Sequence, residues 1–355
     1  MKLAIVLGTR PEIIKMSPII RECEKRGMQY YILHTGQHYS YEMDRIFFDQ
    51  LKLPEVKYKL NVGSGFHGKQ TGKMLAEIEE ILIKDRPDIV LVQGDTNTVL
   101  AGALAASKLH IKVGHVEAGL RSFDRAMPEE TNRVVTDHIS DYLFAPTETS
   151  KNDLLNEGIP DEKIFVTGNT VVDSAYQNLE ISKKSCNVLE ELELREKEYF
   201  IITAHRAENV DDKKRLNGIL KGLSQIYEEL KLPVIFPAHP RTVKMIKEFR
   251  FEVPEGTRLI EPLGYLEFLQ LLNGAKLILT DSGGVQEESC ILKVPCVTLR
   301  DNTERPETID VGANIIAGTG DKIIASVQKM INSSLNWINP YGNGNSGELI
   351  LGSLE

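Results

Sequence analysis

The chain has 355 residues, of which 41% are hydrophobic and 26% charged, so its composition excludes wholesale disorder. The 51 acidic residues outnumber the 42 basic ones and give a formal net charge of −9, which argues against a generic binder of nucleic acids or anionic membranes. No apolar stretch approaches the ~20 residues that a membrane span needs, and the length predicts two domains at ~150 residues each.

Short apolar segments alternate with amphipathic stretches in the first half of the chain. The predicted strands are Leu3–Leu7, Tyr30–His34, Ile89–Val92 and Lys112–Val116, and the predicted helices are Pro11–Arg26, Tyr41–Leu51, Lys69–Lys84 and Thr98–Leu109. The strands are apolar on both faces, which is typical of buried parallel strands. The alternation predicts right-handed βαβ units in an open, doubly wound sheet.

The same alternation resumes after a charged segment, Glu180–Lys197, that has no strand pattern. The strands predicted there are Tyr199–Thr203, Val234–Pro237, Arg258–Ile260, Leu277–Thr280 and Cys296–Leu299. We therefore predict an N-terminal α/β domain in residues 1–168, a second in 169–335, and a C-terminal segment, 336–355, that packs back on the first. In two such domains the carboxyl ends of two sheets would face one cleft, where such folds bind ligands.

The cysteines and the N-terminal residues indicate a cytoplasmic protein. Cys23, Cys186, Cys290 and Cys296 form no CxxC motif and have no histidine cluster at zinc spacing, which favours reduced thiols and predicts no metal site. The opening sequence MKLAIVLG predicts a first strand rather than a signal peptide.

A basic turn follows the first predicted strand. Gly8 permits a tight turn, Pro11 suits the first position of a helix, and Arg10 lies between them. Lys15 follows one helical turn later. The end of a strand beside a helix N-terminus favours an anion, so we predict an anion site here; a solvated basic turn is the alternative.

Three carboxylates are predicted to meet at one edge of the first sheet. Asp95 and Glu117 follow consecutive strands, and Glu129 lies in the first turn of a helix that Pro128 opens. Helix capping by Asp95 and a favourable helix-dipole position for Glu129 are the alternatives. Carboxylates at close range raise one another's proton affinity, which makes an acid or a base usable near neutral pH.

The second half of the chain carries a candidate proton donor and a candidate diphosphate site. His205 follows the strand Tyr199–Thr203, and Gly283 and Gly284 open a helix after the strand Leu277–Thr280. Glu288, one turn later, is placed to accept hydrogen bonds from ribose hydroxyls, and Arg305 adds a cation. A plain glycine turn with a serine cap is the alternative.

Two further patterns are weak evidence for a nucleotide-binding loop and for a serine hydrolase. The stretch GSGFHGKQ fits GxGxxG and nearly fits a P-loop, but Gln70 stands where a P-loop has the Ser or Thr that binds magnesium. A flexible glycine loop is therefore favoured over a dinucleotide or nucleoside triphosphate site. Ser282 lies in TDSGG rather than in a GxSxG elbow, which gives little support to a serine hydrolase.

Seven motifs occur in order across almost the whole chain: GTRPEIIK, GDTNTVLAGALAA, HVEAGLRS, PEETNR, TAHRAEN, DSGGVQEE and RDNTERPET. Together they closely resemble the non-hydrolysing UDP-N-acetylglucosamine 2-epimerases. The resemblance implies the GT-B architecture of two Rossmann-like domains with the active site between them. It also implies interconversion of UDP-GlcNAc and UDP-ManNAc without an added redox cofactor, by a homodimer.

The resemblance assigns roles to individual residues. The catalytic residues it implies are Asp95, Glu117, Glu129 and His205. The substrate-binding residues are Arg10, Lys15, Arg133, Phe268, Ser282, Gly283, Gly284, Glu288 and Arg305. Bacterial members carry a second, activating UDP-GlcNAc site, and the positions that resemble it are Gln37, His38, Arg206 and His239; the HGKQTG stretch departs from the commoner pattern there.

The chemistry of the substrate favours elimination. The sugar C2 proton is not adjacent to a carbonyl, so epimerisation needs either transient oxidation by NAD or departure of the C1 leaving group, and no convincing dinucleotide motif is present. Removal of the C2 proton as UDP leaves would give a glycal, to which UDP adds back. The sequence does not assign each carboxylate to a face of C2. The alternative functions are a GT-B glycosyltransferase, a hydrolysing epimerase and a catalytically silent nucleotide-sugar sensor.

Overall fold

A computed structural model describes residues 1–37 and 41–355 of the chain. Its contacts divide the chain into two compact units: Met1–Ser174 together with Tyr341–Glu355, and Ala175–Pro340. The boundaries predicted from the sequence are at 168 and 336. Across the described residues, none of the helices combines the length and the apolar character that a bilayer crossing requires. All four cysteines are free thiols.

The first unit contains a seven-stranded parallel sheet in the order β3-β2-β1-β4-β5-β6-β7. Its strands are β1 (Lys2–Leu7), β2 (Gln29–His34), β3 (Tyr58–Lys59), β4 (Ile89–Gln93), β5 (Lys112–Val116), β6 (Tyr142–Ala145) and β7 (Ile164–Val166). The four predicted strands are confirmed. The sequence analysis did not predict β6 and β7, because runs of three or four apolar residues are too short to show a period.

Helices connect these strands, as the alternation predicts. They are α1 (Arg10–Arg26), α2 (Tyr41–Gln50), α3 (His67–Lys84), α4 (Asn97–Lys108), α5 (Pro128–Ile139) and α6 (Glu148–Asn156). Helix α7 (Thr170–Ser185) follows β7 and contains the boundary between the two units. Pro11 and Pro128 each lie in the first turn of a helix, where the missing N–H costs no hydrogen bond. The charged segment Glu180–Lys197 contains the end of α7 and the short helix α8 (Val188–Glu191) rather than a strand.

The second unit contains a six-stranded parallel sheet in the order β10-β9-β8-β11-β12-β13. Its strands are β8 (Phe200–Thr203), β9 (Val234–Pro237), β10 (Thr257–Ile260), β11 (Leu277–Thr280), β12 (Cys296–Thr298) and β13 (Asn314–Ile316). The first five match the predicted strands, and β13 was not predicted.

The remaining helices complete the two units. They are α9 (Ala207–Val210), α10 (Lys213–Leu230), α11 (Pro240–Glu248), α12 (Tyr265–Gly274), α13 (Gly283–Ile291), α14 (Pro306–Asp310), α15 (Lys322–Ile331) and α16 (Ser346–Gly352). Helix α16 belongs to the first unit, where it packs against α1 with Gly347 beside the backbone of Pro18. The Asn/Gly-rich stretch before α16 is a loop.

Each sheet is buried on both faces. In the first unit, side chains such as Val6, Val92 and Val113 pack against the alanine-rich helix α4, whose Gly102 lies close to Val6 and Val92. In the second unit, Phe200 and Leu279 pack against Leu216 of α10. Burial at roughly 25 cal/mol per Å² of apolar surface stabilises the strands, while the turns after them remain free to carry polar residues.

Candidate active site

Two neighbouring strands of the first unit bring two acidic turns together. In the β4–β5 pair, Gln93 lies beside Val116, so the turns that follow the two strands are adjacent. Asp95 is in the first turn and Glu117 in the second. The amide of Gly94 donates to the carbonyl of Val116, which ties the two turns directly.

Glu117 is the most tightly held of the candidate acids. Lys15 Nζ lies 2.6 Å from its Oε1, the Asn169 amide donates to the same oxygen at 3.0 Å, and the Gln93 amide contacts Oε2. The residue is buried and has a positive φ of 71°, which costs a non-glycine residue of order 1–3 kcal/mol. Such a strained backbone is common at functional sites, and Lys15 and Asn169 hold the carboxylate in one orientation.

Asp95 is paired with Arg133 of α5, the helix whose first turn also carries Glu129. Arg133 donates to Asp95 Oδ2 at 2.5 Å, and Glu129 precedes Arg133 by one turn of α5. The alternative that Asp95 caps α4 is wrong: Thr96 is the N-cap and accepts from Val99 N–H at 3.4 Å. The turns that carry Asp95 and Glu117 therefore lie at the same edge of the sheet, and each of these two carboxylates is paired with a cation, whereas Glu129 lies in the first turn of α5.

Glu130, next to Glu129, has a different position. It is buried and accepts hydrogen bonds from the backbone amides of Ser122 and Phe123, each at 3.0 Å, and from Arg133 at 2.9 Å. Burial raises its pKa, but these hydrogen bonds outweigh burial and hold the pKa below its ordinary value. Glu130 fixes the loop before α5, whereas Glu129 remains half-buried.

The predicted anion site at the start of α1 contains two cations. Arg10 is exposed, whereas Lys15 is ion-paired with Glu117. The guanidinium of Arg10 lies 4.4 Å from the ring centre of Phe47. The turn before Arg10 is fixed by buried Glu12, which accepts from Gly8 N–H at 2.9 Å and from the Thr9 hydroxyl at 2.8 Å. Burial raises the pKa of Glu12 above its ordinary value.

Of the residues predicted for a second nucleotide site, Gln37 is buried in the first unit. Its side-chain oxygen accepts from the amide of Thr98 at 2.9 Å and from the Thr98 hydroxyl at 2.8 Å. His38 lies outside the described residues. The GSGFHGKQ stretch follows the two-residue edge strand β3, and its Gly68 and Lys69 lie inside α3 rather than in a phosphate-binding loop.

In the second unit, His205 lies beside a buried carboxylate. Its Nδ1 is 3.1 Å from Asp281 Oδ1, and its side chain is 47% exposed. The other oxygen of Asp281 accepts from the amides of His205 and Arg206, each at 2.9 Å, and from the Asn209 side chain at 3.1 Å. Burial raises the pKa of Asp281, but the His205 ring and these donors lower it to a net value below the ordinary one.

His205 has two neighbours that the sequence analysis placed in a second nucleotide site. The ring centre of His239 lies 6.5 Å from that of His205, and His239 Nδ1 accepts from Arg241 N–H at the start of α11. Arg206 lies 3.7 Å from Glu304, whose pKa a hydrogen bond from Arg300 lowers to about 2. These residues form a mixed-charge cluster at the carboxyl end of β8.

The predicted diphosphate site coincides with the beginning of a helix. Ser282 is the N-cap residue of α13, and Gly283 and Gly284 form its first turn, with open space around the Cα of Gly284. The predicted serine cap is not formed with any described residue, which leaves the first amides of the helix to bind an anion.

Three more predicted residues belong to the second unit. Glu288 is four residues after Gly284 and half-buried, and Phe268 is half-buried on α12. Arg305 Nε lies 2.6 Å from Oε1 of buried Glu287 on the same helix α13. A buried carboxylate thus holds the guanidinium of Arg305 in place.

Comparison with known proteins decides the family. The family model for UDP-N-acetylglucosamine 2-epimerase matches residues 21–355. The chain belongs to this family. The prediction of an isomerase, specifically an epimerase acting on a carbohydrate, is thereby confirmed.

The chain is similar to other members of the epimerase family over nearly its whole length. UDP-N-acetylglucosamine 2-epimerase of Methanocaldococcus jannaschii is 62% identical over 358 residues, covering 99% of this chain and 98% of that protein. UDP-2,3-diacetamido-2,3-dideoxy-D-glucuronate 2-epimerase of Pseudomonas aeruginosa is 43% identical, with 94% of each chain covered.

A solved structure of the M. jannaschii enzyme has a TM-score of 0.92 at 60% identity, covering 100% of this chain and 99% of that one. Another, in complex with UDP-GlcNAc and UDP, has a TM-score of 0.85. The predicted fold class, two Rossmann-like doubly wound domains of the GT-B type, is confirmed.

The candidate site residues have neighbours that the sequence analysis did not single out. Gln93 and Asn169 contact Glu117, Asp281 lies beside His205, and Glu287 holds Arg305. Asp281 and Glu287 lie inside the DSGGVQEE motif. Asp281 could have been found from the sequence, because it directly follows a buried strand. Asn169 follows β7, a strand that was not predicted, so its proximity to Glu117 has no sequence signal.

Proposed function

We propose that the chain interconverts UDP-N-acetylglucosamine and UDP-N-acetylmannosamine without hydrolysis, by eliminating UDP and adding it back. The observation that carries this proposal is the buried Glu117 carboxylate, held by Lys15 and Asn169 beside the Asp95 turn. Family membership and the relative whose structure contains UDP-GlcNAc and UDP support the choice of substrate.

The first step forms a glycal. A carboxylate among Asp95, Glu117 and Glu129 takes the C2 proton, and the electrons of the C2–H bond form a C1–C2 double bond. The C1–O bond breaks, and its electron pair leaves with the β-phosphate oxygen of UDP. The products are 2-acetamidoglucal and UDP, and positioned acid–base groups contribute about 10²–10⁴ to the rate of such a step.

The second step reverses the first on the other face of the sugar. Another of the three carboxylates returns a proton to C2 from the opposite side, and the β-phosphate oxygen re-forms the bond to C1. Proton transfer on both faces requires at least two acids, which is why a set of three at one sheet edge favours epimerisation. Arg133, bound to Asp95, fixes the direction of that carboxylate.

The residues of the second unit are proposed to bind the nucleotide and stabilise the leaving group. The Ser282 side chain and the amides of Gly283 and Gly284 at the start of α13 would bind the diphosphate. Arg305, held by Glu287, would neutralise charge that develops on it. Glu288 would bind the ribose hydroxyls, and Phe268 would contact the uracil.

His205 is proposed to donate a proton, or a hydrogen bond, to the departing phosphate oxygen. Asp281 supports this role because its carboxylate lies 3.1 Å from Nδ1 and orients the ring. Arg10 and Lys15 would add positive charge near the diphosphate, as their place at the start of α1 suggests.

We also propose a regulatory site and an oligomeric state. Gln37, His38, Arg206 and His239 would form a second, activating UDP-GlcNAc site, and the protein would act as a homodimer. A GT-B glycosyltransferase and a hydrolysing epimerase are the alternative activities. The 43% identical relative makes a diacetamido glucuronate the second candidate substrate.

The discriminating experiment is incubation of the purified protein with UDP-GlcNAc alone, followed by NMR of the products. The proposal predicts UDP-ManNAc with no acceptor and no added cofactor. Free ManNAc with UDP would indicate a hydrolysing enzyme, and no reaction without an acceptor would indicate a transferase. The same incubation with the diacetamido glucuronate nucleotide identifies the preferred sugar.

A further inference from the structure

A buried carboxylate that the proposed reaction does not use lies directly behind the acid-bearing turns. Asp137 of α5 is buried, and its Oδ1 lies 2.6 Å from Nδ1 of buried His115 in β5. Its Oδ2 accepts from the amide of Gly119 at 3.2 Å and lies 2.7 Å from the guanidinium of Arg121. One carboxylate therefore contacts β5 and the turn that follows it.

The other side of the His115 ring faces the first acidic turn, which carries Asp95. His115 Nε2 lies 2.8 Å from the carbonyl oxygen of Gly94, the residue before Asp95. A carbonyl can only accept, so Nε2 carries a proton, and the Nδ1 proton is directed at the Asp137 carboxylate. The geometry fits an imidazolium that donates from both nitrogens.

The surrounding charges favour this ionised pair. The titratable groups that face it are Asp137 and Arg121, and Arg121 is held in turn by both oxygens of Glu157 at 2.7 Å. Burial lowers the pKa of His115, but the Asp137 charge and hydrogen bond outweigh burial and raise it. Burial raises the pKa of Asp137, but His115 and Arg121 outweigh burial and lower it.

We propose that His115 and Asp137 are positioning residues that set the distance between the Asp95 and Glu117 carboxylates. The inference rests on the proposed function of those two acids. Asp137 fixes the 117–119 turn by accepting a hydrogen bond from the Gly119 amide. Protonated His115 links Asp137 to the 94–95 turn as well, because its second ring nitrogen donates to the Gly94 carbonyl. Glu117, with its φ of 71°, needs such external restraint to keep an unfavourable backbone conformation.

The test compares two substitutions of His115, each of which introduces a side-chain amide in the place of one ring nitrogen. In His115→Gln the amide nitrogen can occupy the place of Nε2 and keep the bond to Gly94, whereas in His115→Asn it can occupy only the place of Nδ1. We expect His115→Asn to lower kcat about 10²-fold with KM changed by less than about threefold, because displacement of a reacting group by ~1 Å costs that much. His115→Gln should retain about tenfold more activity than His115→Asn.

His138→Gln is the matched control, because His138 lies on the exposed surface of α5 and its Nδ1 faces the carbonyl of its own helix residue Val134. Its kcat should equal that of the unmodified protein. Equal kcat values for His115→Gln and His115→Asn would overturn the proposal, and so would an unchanged kcat in either variant.

A spectroscopic readout keeps this inference separate from the proposed reaction. In ¹⁵N-histidine NMR of the full chain, one histidine should show two protonated ring nitrogens at a pH above the ordinary imidazole pKa of about 6.5, and His115→Gln should remove that signal. A neutral His115 would overturn the positioning proposal even if the enzyme is active. An inactive unmodified protein that retains the imidazolium signal would contradict the proposed function alone.

Discussion

Lys15 Nζ lies 2.6 Å from Glu117 Oε1, although the two residues are 102 positions apart in the chain. Lys15 is on α1 and Glu117 follows β5, so the pair joins the first helix of the unit to its central acidic turn. The pair holds the Glu117 carboxylate in one direction, as a base that takes a proton from a fixed position in the substrate requires.

Glu117→Gln should abolish most turnover. The amide cannot take the C2 proton, so we expect kcat to fall by about 10²–10⁴ while the dissociation constant for UDP changes by less than about threefold. Steady-state kinetics and calorimetric UDP titration measure the two quantities. Glu80→Gln, on the exposed surface of α3, is the matched control. Retention of more than about a tenth of the kcat in Glu117→Gln would show that another acid carries the step.

Asp281→Asn should reduce kcat with little effect on nucleotide affinity. The variant keeps an oxygen for the amides of His205 and Arg206 but loses the negative charge beside the His205 ring. Loss of a carboxylate behind a catalytic histidine typically costs about 10²-fold or more. The readout is kcat against UDP affinity. An unchanged kcat would mean that His205 does not act through its imidazolium.

Gly119→Ala should destabilise the first unit. Gly119 has a φ of 80°, and a Cβ there would collide with the backbone carbonyl of Ser150. We expect the free energy of unfolding to fall by more than about 1 kcal/mol. Gly68→Ala is the control, because Gly68 lies inside α3 with open space around it, and alanine there should stabilise by up to about 1 kcal/mol. Equal urea midpoints for the two variants would contradict this account.

The strands that matter most for the site can be recognised from the sequence, and the reason is physical. Buried parallel strands are apolar on both faces, so β1, β4, β5, β8 and β11 are visible as apolar runs ending at glycine or polar residues. Because parallel strands end at one edge, the order of the residues alone predicts that Asp95 and Glu117 lie together. Short strands such as β7 and β13 carry too few residues for the same reasoning.

The partners of the candidate residues could not be predicted in the same way. The pairing of Arg133 with Asp95 depends on the angle of α5, and the contact of Asn169 with Glu117 depends on the chain after β7. The sequence analysis also expected the carboxylates to influence one another. The structure adds two ion pairs that the sequence did not predict, Lys15 with Glu117 and Arg133 with Asp95.

The His115–Asp137 pair should make stability depend on pH. The pKa of His115 is raised in the folded protein, so the folded state binds this proton more tightly than the unfolded state. The contribution is fully present below the unfolded pKa of about 6.5 and is lost as the pH rises through the folded value. The difference in urea midpoint between the unmodified protein and His115→Gln should therefore shrink as the pH rises above about 6.5. A difference that grows with pH would contradict a protonated His115.

Hydrogen exchange at the sugar C2 tests the proposed chemistry most directly. If a carboxylate takes the C2 proton and another returns one, epimerisation in deuterium oxide should place deuterium at C2 of UDP-ManNAc, and at C2 of recovered UDP-GlcNAc as the reaction approaches equilibrium. NMR and mass spectrometry measure the incorporation. UDP-ManNAc that retains its original hydrogen at C2 would contradict the account.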